Sequence, residues 1–208
     1  MTQEFRGFKN LVYARVTKDD ATGYTTGPVK PFAPAGEIKK TIEQSTATHF
    51  YDDGPAIVIS AVGEDTVEFS TAIIPDEVLA DITGQYYDPD LGMLVEGVVG
   101  NPGYFAVGYQ IGVIGDGADG DDPAYFIWRY KGTFGFPSEE AKTADGGTDA
   151  NGQTITYKGI NTNYKFTTKT GLRPAKALRI AAFDGKADVD NFFDTVKKPN
   201  EITVASNG

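Results

Sequence analysis

The sequence predicts a mainly β domain, a β-barrel or sandwich with one short flanking helix over about 75–84 and a C-terminal helix over about 188–197. Apolar and polar residues alternate in several windows, as they do in strands with one buried face. Twenty-five glycines and eleven prolines supply turns, and eleven tyrosines with thirteen phenylalanines suit strands. Helical spacing is confined to two short windows.

Residues 8–17 alternate, with Phe8, Val12, Ala14 and Val16 on one face and Lys9, Tyr13 and Arg15 on the other. Leu11 is the apolar exception. Residues 18–36 read as a long Gly/Pro/Thr loop, where three prolines between 28 and 34 exclude helix and central strand. Strands are expected at Glu37–Ser45, at Ala47–Tyr51, at Ala56–Val62 after the Asp53-Gly54-Pro55 turn, and at Thr66–Ile74. Pro75 suits the first position of the short helix. Asp76 and Glu77 favour the positive end of its dipole, Val78, Leu79 and Ile82 form its apolar face, and Gly84 stops it.

Farther along, Phe105, Val107, Tyr109, Ile111 and Val113 share a face in 103–114, and Phe126, Trp128 and Tyr130 share one in 124–131. These two strands flank GDGADGDD and predict a long hairpin. Residues 137–153 are polar and predict a mobile loop. Thr154–Lys169 reads as one or two strands and Ala177–Phe183 as another. Asp188 then caps the second helix, with Val189, Phe192, Phe193 and Val196 at i, i+3, i+4 and i+7. Lys197 and Lys198 suit its negative end, and Pro199 stops it. The organisation expected is one domain over 1–198 and a tail over 199–208.

Composition narrows the function. The chain of 208 residues has no cysteine, which excludes disulfides and thiolate metal sites. The N-terminal stretch MTQEFRGFKN has no apolar signal core, and no apolar run is long enough to predict a membrane helix. Net charge is −10, so the chain has no electrostatic reason to grip nucleic acid.

The chemical motifs are weak. Gly115–Gly120 matches G-x-G-x-x-G, but a strand is expected after it, and a dinucleotide site needs a helix there. Asp116, Asp119, Asp121 and Asp122 are a weak candidate calcium loop, because no Glu stands at the twelfth position. His49 is the single histidine, and with no G-x-S-x-G elbow it predicts a packing or edge role. Asp88 and Asp90 beside Tyr86 and Tyr87 could form a sugar platform or a carboxylate pair, but an ordinary loop is the simpler reading. Trp128 is expected in the core. No catalytic residue, cofactor or resident metal is expected.

The order of parts carries more information. GFKNLVYARVT (7–17) is followed by a Pro/Gly loop ending at Ala35-Gly36-Glu37, then FYDDGP (50–55), then the strand-PDEVL-helix unit (66–84), then GMLVE (92–96). PAYFIWRYKGTF (123–134), FPSEE (136–140) and TITYKG (154–159) complete it. Over about residues 7–170 this order resembles the major tail proteins of long-tailed (siphovirus-type) bacteriophages, which build the tail tube.

The resemblance implies a tail-tube β fold, related to the tube protein of type VI secretion, and a structural virion protein, not an enzyme. Six copies would close a ring, and rings would stack into a hollow tube through which DNA passes without specific binding. Implied partners are further copies of the chain, a tape-measure protein and a tail terminator; no membrane is involved. The implied location is the virion tail, after synthesis in the host bacterial cytoplasm. Two segments are candidates for the ring-to-ring contact because they look poor in core residues, and the sequence leaves open which of them makes it: the 18–36 loop (Tyr24, Pro28, Lys30, Pro31, Phe32, Pro34) and the tail (Ile202, Val204). The alternative reading is a β-sandwich module that binds carbohydrate on a virion or cell surface.

Overall fold

The computed structural model describes residues 2–51, 54–97, 100–118, 122–139 and 152–205, with only the backbone described within 45–62. Its strands are β1 (Gln3–Asp20), β2 (Gly23–Thr26), β3 (Lys30–Pro31), β4 (Ala35–Tyr51) and β5 (Gly54–Thr71). Helix α1 (Asp76–Thr83) leads to the hairpin of β6 (Tyr86–Asp88) and β7 (Met93–Val95). There follow β8 (Phe105–Gly115), β9 (Ala124–Phe134), β10 (Ser138–Glu139) and β11 (Gln153–Gly159). The last are β12 (Phe166–Thr168), β13 (Gly171–Arg173) and β14 (Ala177–Ala181).

The mainly β expectation holds. One antiparallel sheet runs β2-β1-β8-β9-β11-β5-β4, with β3 beside β1, β10 beside β11 and β14 beside β9. Among the described residues no ladder joins β2 to β4, so the sheet stays open and does not close into a barrel. No helix among the described residues is long and apolar enough to cross a membrane.

Strand β9 organises the sheet. One edge pairs with β8 from Ala124 to Gly132. The other edge is shared: Tyr125–Arg129 pair with β14 and Gly132–Phe134 with β11. The handover coincides with a bulge, since Val107 faces Arg129 but Phe105 faces Gly132. The extra residue reverses the alternation, so Ile127 and Phe134 reach the same core.

A second bulge corrects the reading of β1. Lys9 faces Gln110 and Val12 faces Gly108, leaving one residue extra. Asn10 takes it up at φ 58°, a left-handed conformation that asparagine tolerates, and donates its side-chain amide to Gln110 Oε1 at 2.8 Å. Phe8, Leu11 and Tyr13 therefore face one core and Val12, Ala14 and Val16 the other. Leu11 is no exception; Phe8 changes sides.

The two cores lie on opposite faces of the sheet. The first gathers Tyr13, Phe32, Phe69, Phe105, Tyr109 and Tyr157, and is plugged at one end by Leu79 and Ile82 of α1. That helix ends as expected at Gly84, left-handed at φ 76°. The second core gathers Trp128, Tyr130, Phe166 and Ile180 under Phe192 and Val196. Trp128 donates its indole N–H to the Phe192 carbonyl at 3.0 Å.

The expected C-terminal helix does not form. Residues 190–196 are successive turns, held by Phe192 N–H to the Val189 carbonyl and Asp194 N–H to the Asn191 carbonyl, both 3.2 Å. Asn191 sits at φ 53°, which no α-helix accommodates. Asp188 accepts from the Asp190 backbone at 2.9 Å and closes a local turn instead of capping a helix. The apolar spacing reports burial correctly, since Phe192 and Val196 are core residues, but turns achieve it.

Candidate functional site

The acidic turn is occupied by its own chain. Asp122 Oδ2 accepts from Lys9 Nζ at 2.5 Å and from Gln110 Nε2 at 3.0 Å. Asp116 Oδ2 accepts from the Thr2 backbone at 3.3 Å. Asp119 and Asp121 lie outside the described residues, and no metal-binding group of three His, Asp or Glu side chains occurs among those described. Strand β8 ends at Gly115 and β9 starts at Ala124, so a strand stands where a dinucleotide site needs a helix. Asp88 Oδ1 accepts from the backbone N–H of Asp90 and Leu91, at 3.0 and 3.2 Å, which commits that carboxylate to the β6–β7 turn. The His49 side chain lies outside the described residues. Trp128 is fully buried, as expected.

The structure assembles an ionic site that sequence reasoning missed. Asp65 of β5 receives Arg129 at 2.9 Å, Lys176 at 3.3 Å and Lys40 at 3.5 Å. Arg129 also donates from Nε to the Tyr109 hydroxyl at 2.9 Å. Burial disfavours the Asp65 carboxylate, but the Arg129 hydrogen bond and the neighbouring Lys40 charge outweigh it and hold its pKa below the usual range. Beside this network opens a cleft of about 550 Å³ between β1, β4, β8, β9 and β14. Its apolar lining includes Phe5, Phe8, Ile38, Ile111 and Ile127, and Lys40 and Arg179 stand with Arg129 as its cations. The Arg179 guanidinium lies 3.4 Å from the Tyr125 ring centroid. Only the placement of Arg129 on the Tyr125/Ile127 face of a strongly apolar strand hinted at this site.

A second network ties α1 to the sheet. Asp81 accepts from Arg15 at 2.6 Å and from both Lys30 Nζ and the Tyr13 hydroxyl at 3.0 Å. Burial opposes its ionisation, yet these three donors keep its pKa low. Asp19 is likewise held low: burial opposes ionisation, and the Asn163 backbone and Lys131 prevail.

Several predicted contact residues turn out to be structural. The 18–36 segment was expected to add little to the isolated fold, but β1 continues to Asp20 and β2 returns along it. Tyr24 is buried and donates its hydroxyl to the Tyr130 carbonyl at 2.5 Å. Phe32 is buried, its ring stacked on Phe134 with centroids 5.2 Å apart. Pro28, Lys30, Pro31 and Pro34 are exposed. The tail is also anchored: the Asp188 N–H donates to the Thr203 carbonyl at 3.0 Å and the Ala205 N–H to the Lys186 carbonyl at 3.1 Å. Ile202 packs against the second core, while Val204 remains exposed.

The remaining feature is an arm. β4 and β5 pair from Ala35/Thr71 out to Tyr51/Gly54, but β11 covers β5 only from Asp65 to Thr71. Gln44–Tyr51 and Gly54–Val62 therefore extend as a two-stranded ribbon with no third strand among the described residues. The two strands expected at Glu37–Ser45 and Ala47–Tyr51 are one, as are Ala56–Val62 and Thr66–Ile74. A two-stranded hairpin alone is marginal in water, and an unpaired edge is a template for further strands.

Among known proteins, no family model matches the chain and no curated protein matches it.

Proposed function

We propose that the chain is a structural subunit that assembles with copies of itself into rings, and that the rings stack into a hollow tail tube through which DNA passes. The observation that carries this reading is the arm formed by Gln44–Tyr51 and Gly54–Val62, together with the open edge of β4. Its second strand contains the run Ala56-Ile57-Val58-Ile59, and a ribbon of that composition gains stability when a neighbouring subunit adds strands to it or covers its faces. The order of sequence motifs, which resembles tail tube proteins, and the net charge of −10 support the same reading. An acidic wall offers phosphates few cationic partners and so lets DNA slide past.

Negative-stain electron microscopy across a concentration series, with light scattering for mass, tests the proposal. Hollow rings or tubes with six-fold views are expected. A protein that remains a monomer at high concentration sinks the reading and brings forward the carbohydrate-binding module.

A further inference from the structure

Two separate surfaces beside the first core have complementary character. At the α1 end, the β6–β7 hairpin packs through Leu94 onto the first core and lifts its turn into solvent. Leu91 in that turn is 73% exposed, Met93 and Tyr86 are exposed as well, and Asp90 stands beside Leu91. At the far end lies the cleft beside Tyr109 and Ile111. Phe105 marks the α1 end, since its register partner Arg15 holds Asp81 of α1. Ile111 lies six steps along β8 from Phe105, roughly 20 Å at strand rise.

The cleft stands out by charge. In a chain of net charge −10, Lys40, Arg129, Lys176 and Arg179 gather there around Asp65 and Glu37. Arg179 has no carboxylate partner among the described residues; its guanidinium lies against Tyr125 and Phe5. Apolar walls with surplus cations suit an apolar side chain that carries a carboxylate next to it. The turn Asp88-Pro89-Asp90-Leu91-Gly92-Met93 has that chemistry.

We propose that a second copy of this chain seats its β6–β7 turn in the cleft, with Leu91 against Phe8, Ile38 and Ile127 and Asp90 facing Lys40 and Arg179. The surfaces are different and share no residue, so the contact is head-to-tail. Such a contact closes into a ring or propagates as a filament. The inference deepens the tube reading and rests on it.

The test uses the full chain and three variants, with sedimentation and electron microscopy as readouts. Leu91 is exposed, so Leu91→Arg should fold with an unchanged near-ultraviolet circular dichroism spectrum. It should require at least about tenfold more protein to assemble, the expected loss when one buried leucine anchor is removed. Asp90→Lys and Arg179→Glu should each assemble poorly alone. Mixed in equal amounts, they should assemble again, because each turn then meets a cleft of opposite sign. If the wild type forms tubes and Leu91→Arg forms them equally well, the contact is overturned and the tube reading stands. Failure of the mixture to recover overturns the pairing of this turn with this cleft. A wild type that never assembles overturns both.

Discussion

Arg129 on β9 and Asp65 on β5 form a buried ion pair at 2.9 Å although their strands are not neighbours. The strand between them, β11, ends at Gly159, whose register partners are Asp65 on one side and Gly132 on the other. Past that point the β9 edge passes to β14, and the Arg129 side chain reaches Asp65 beyond the end of β11.

Breaking this pair should be costly because it leaves a buried charge without its nearest partner, even though Asp65 keeps Lys176 and Lys40. Arg129→Met should destabilise the fold by about 3–5 kcal/mol. Asp65→Asn should do comparable harm, since it leaves Arg129 without its carboxylate. Urea unfolding followed by circular dichroism measures both, and a loss below about 1 kcal/mol would show that water reaches the pair.

Acid should unfold the protein through its buried carboxylates. Asp19, Asp65 and Asp81 all have pKa values below the ordinary 3.8 in the folded state. Their stabilisation is complete above the unfolded value and is lost as pH falls through the folded values. The melting temperature should therefore be flat between about pH 5 and 7 and fall below about pH 4. Asp81→Asn should be less stable at neutral pH and should shed less of its stability on acidification.

Gly132 admits no side chain. A Cβ there would stand 2.4 Å from both the Lys158 carbonyl oxygen and the Tyr157 ring; the carbonyl cannot withdraw without disturbing the β9–β11 ladder, nor the buried ring without straining its hydroxyl bond to the Phe105 carbonyl. Gly132→Ala should cost about 1–3 kcal/mol or more, visible as a lower denaturant midpoint. Gly7→Ala provides the comparison: it is strained by its φ of 85° but meets no atom within 4 Å, so it should be hurt less.

Trp128, the single tryptophan, reports on the cover of the second core. Its emission should be blue-shifted in the native protein. Truncation before Asp188 removes Phe192 and Val196, exposes the indole and should shift the emission to the red. An unshifted spectrum would mean that other residues bury Trp128.

Hydrogen exchange should separate the arm from the body. Amides of Gln44–Tyr51 and Gly54–Val62 should exchange fast in the monomer, where only two strands protect them, and slow down in assembled protein. Equal protection in both states would remove the arm from the interface.

Much of the fold was legible because alternation and turn residues are local signals. The β8–β9 hairpin, α1 with its Gly84 stop, and the burial of Trp128 follow from the sequence directly. Asn10 and the extra residue in β9 were not legible, since a bulge leaves no mark in alternation until the register of the neighbouring strand is known. Asn191 defeated the second helix in the same way: the apolar spacing fits a helix, and one left-handed residue reroutes it. The cleft was hidden because Lys40, Asp65, Arg129 and Arg179 come from four separate places in the sequence. Tyr24 and Phe32 looked like contact residues because their proline-rich surroundings obscured two ordinary core aromatics.

The cover over Trp128 also has a consequence for biogenesis. Phe192 and Val196 are made more than fifty residues after Trp128 and Tyr130, so the Phe126 and Trp128 side of the second core waits for its cover while translation proceeds. A nascent chain paused before Asp188 presents that greasy surface to chaperones and proteases. Only a chain that has been read through this segment can hide it, which makes the segment a late check on the folding of each molecule.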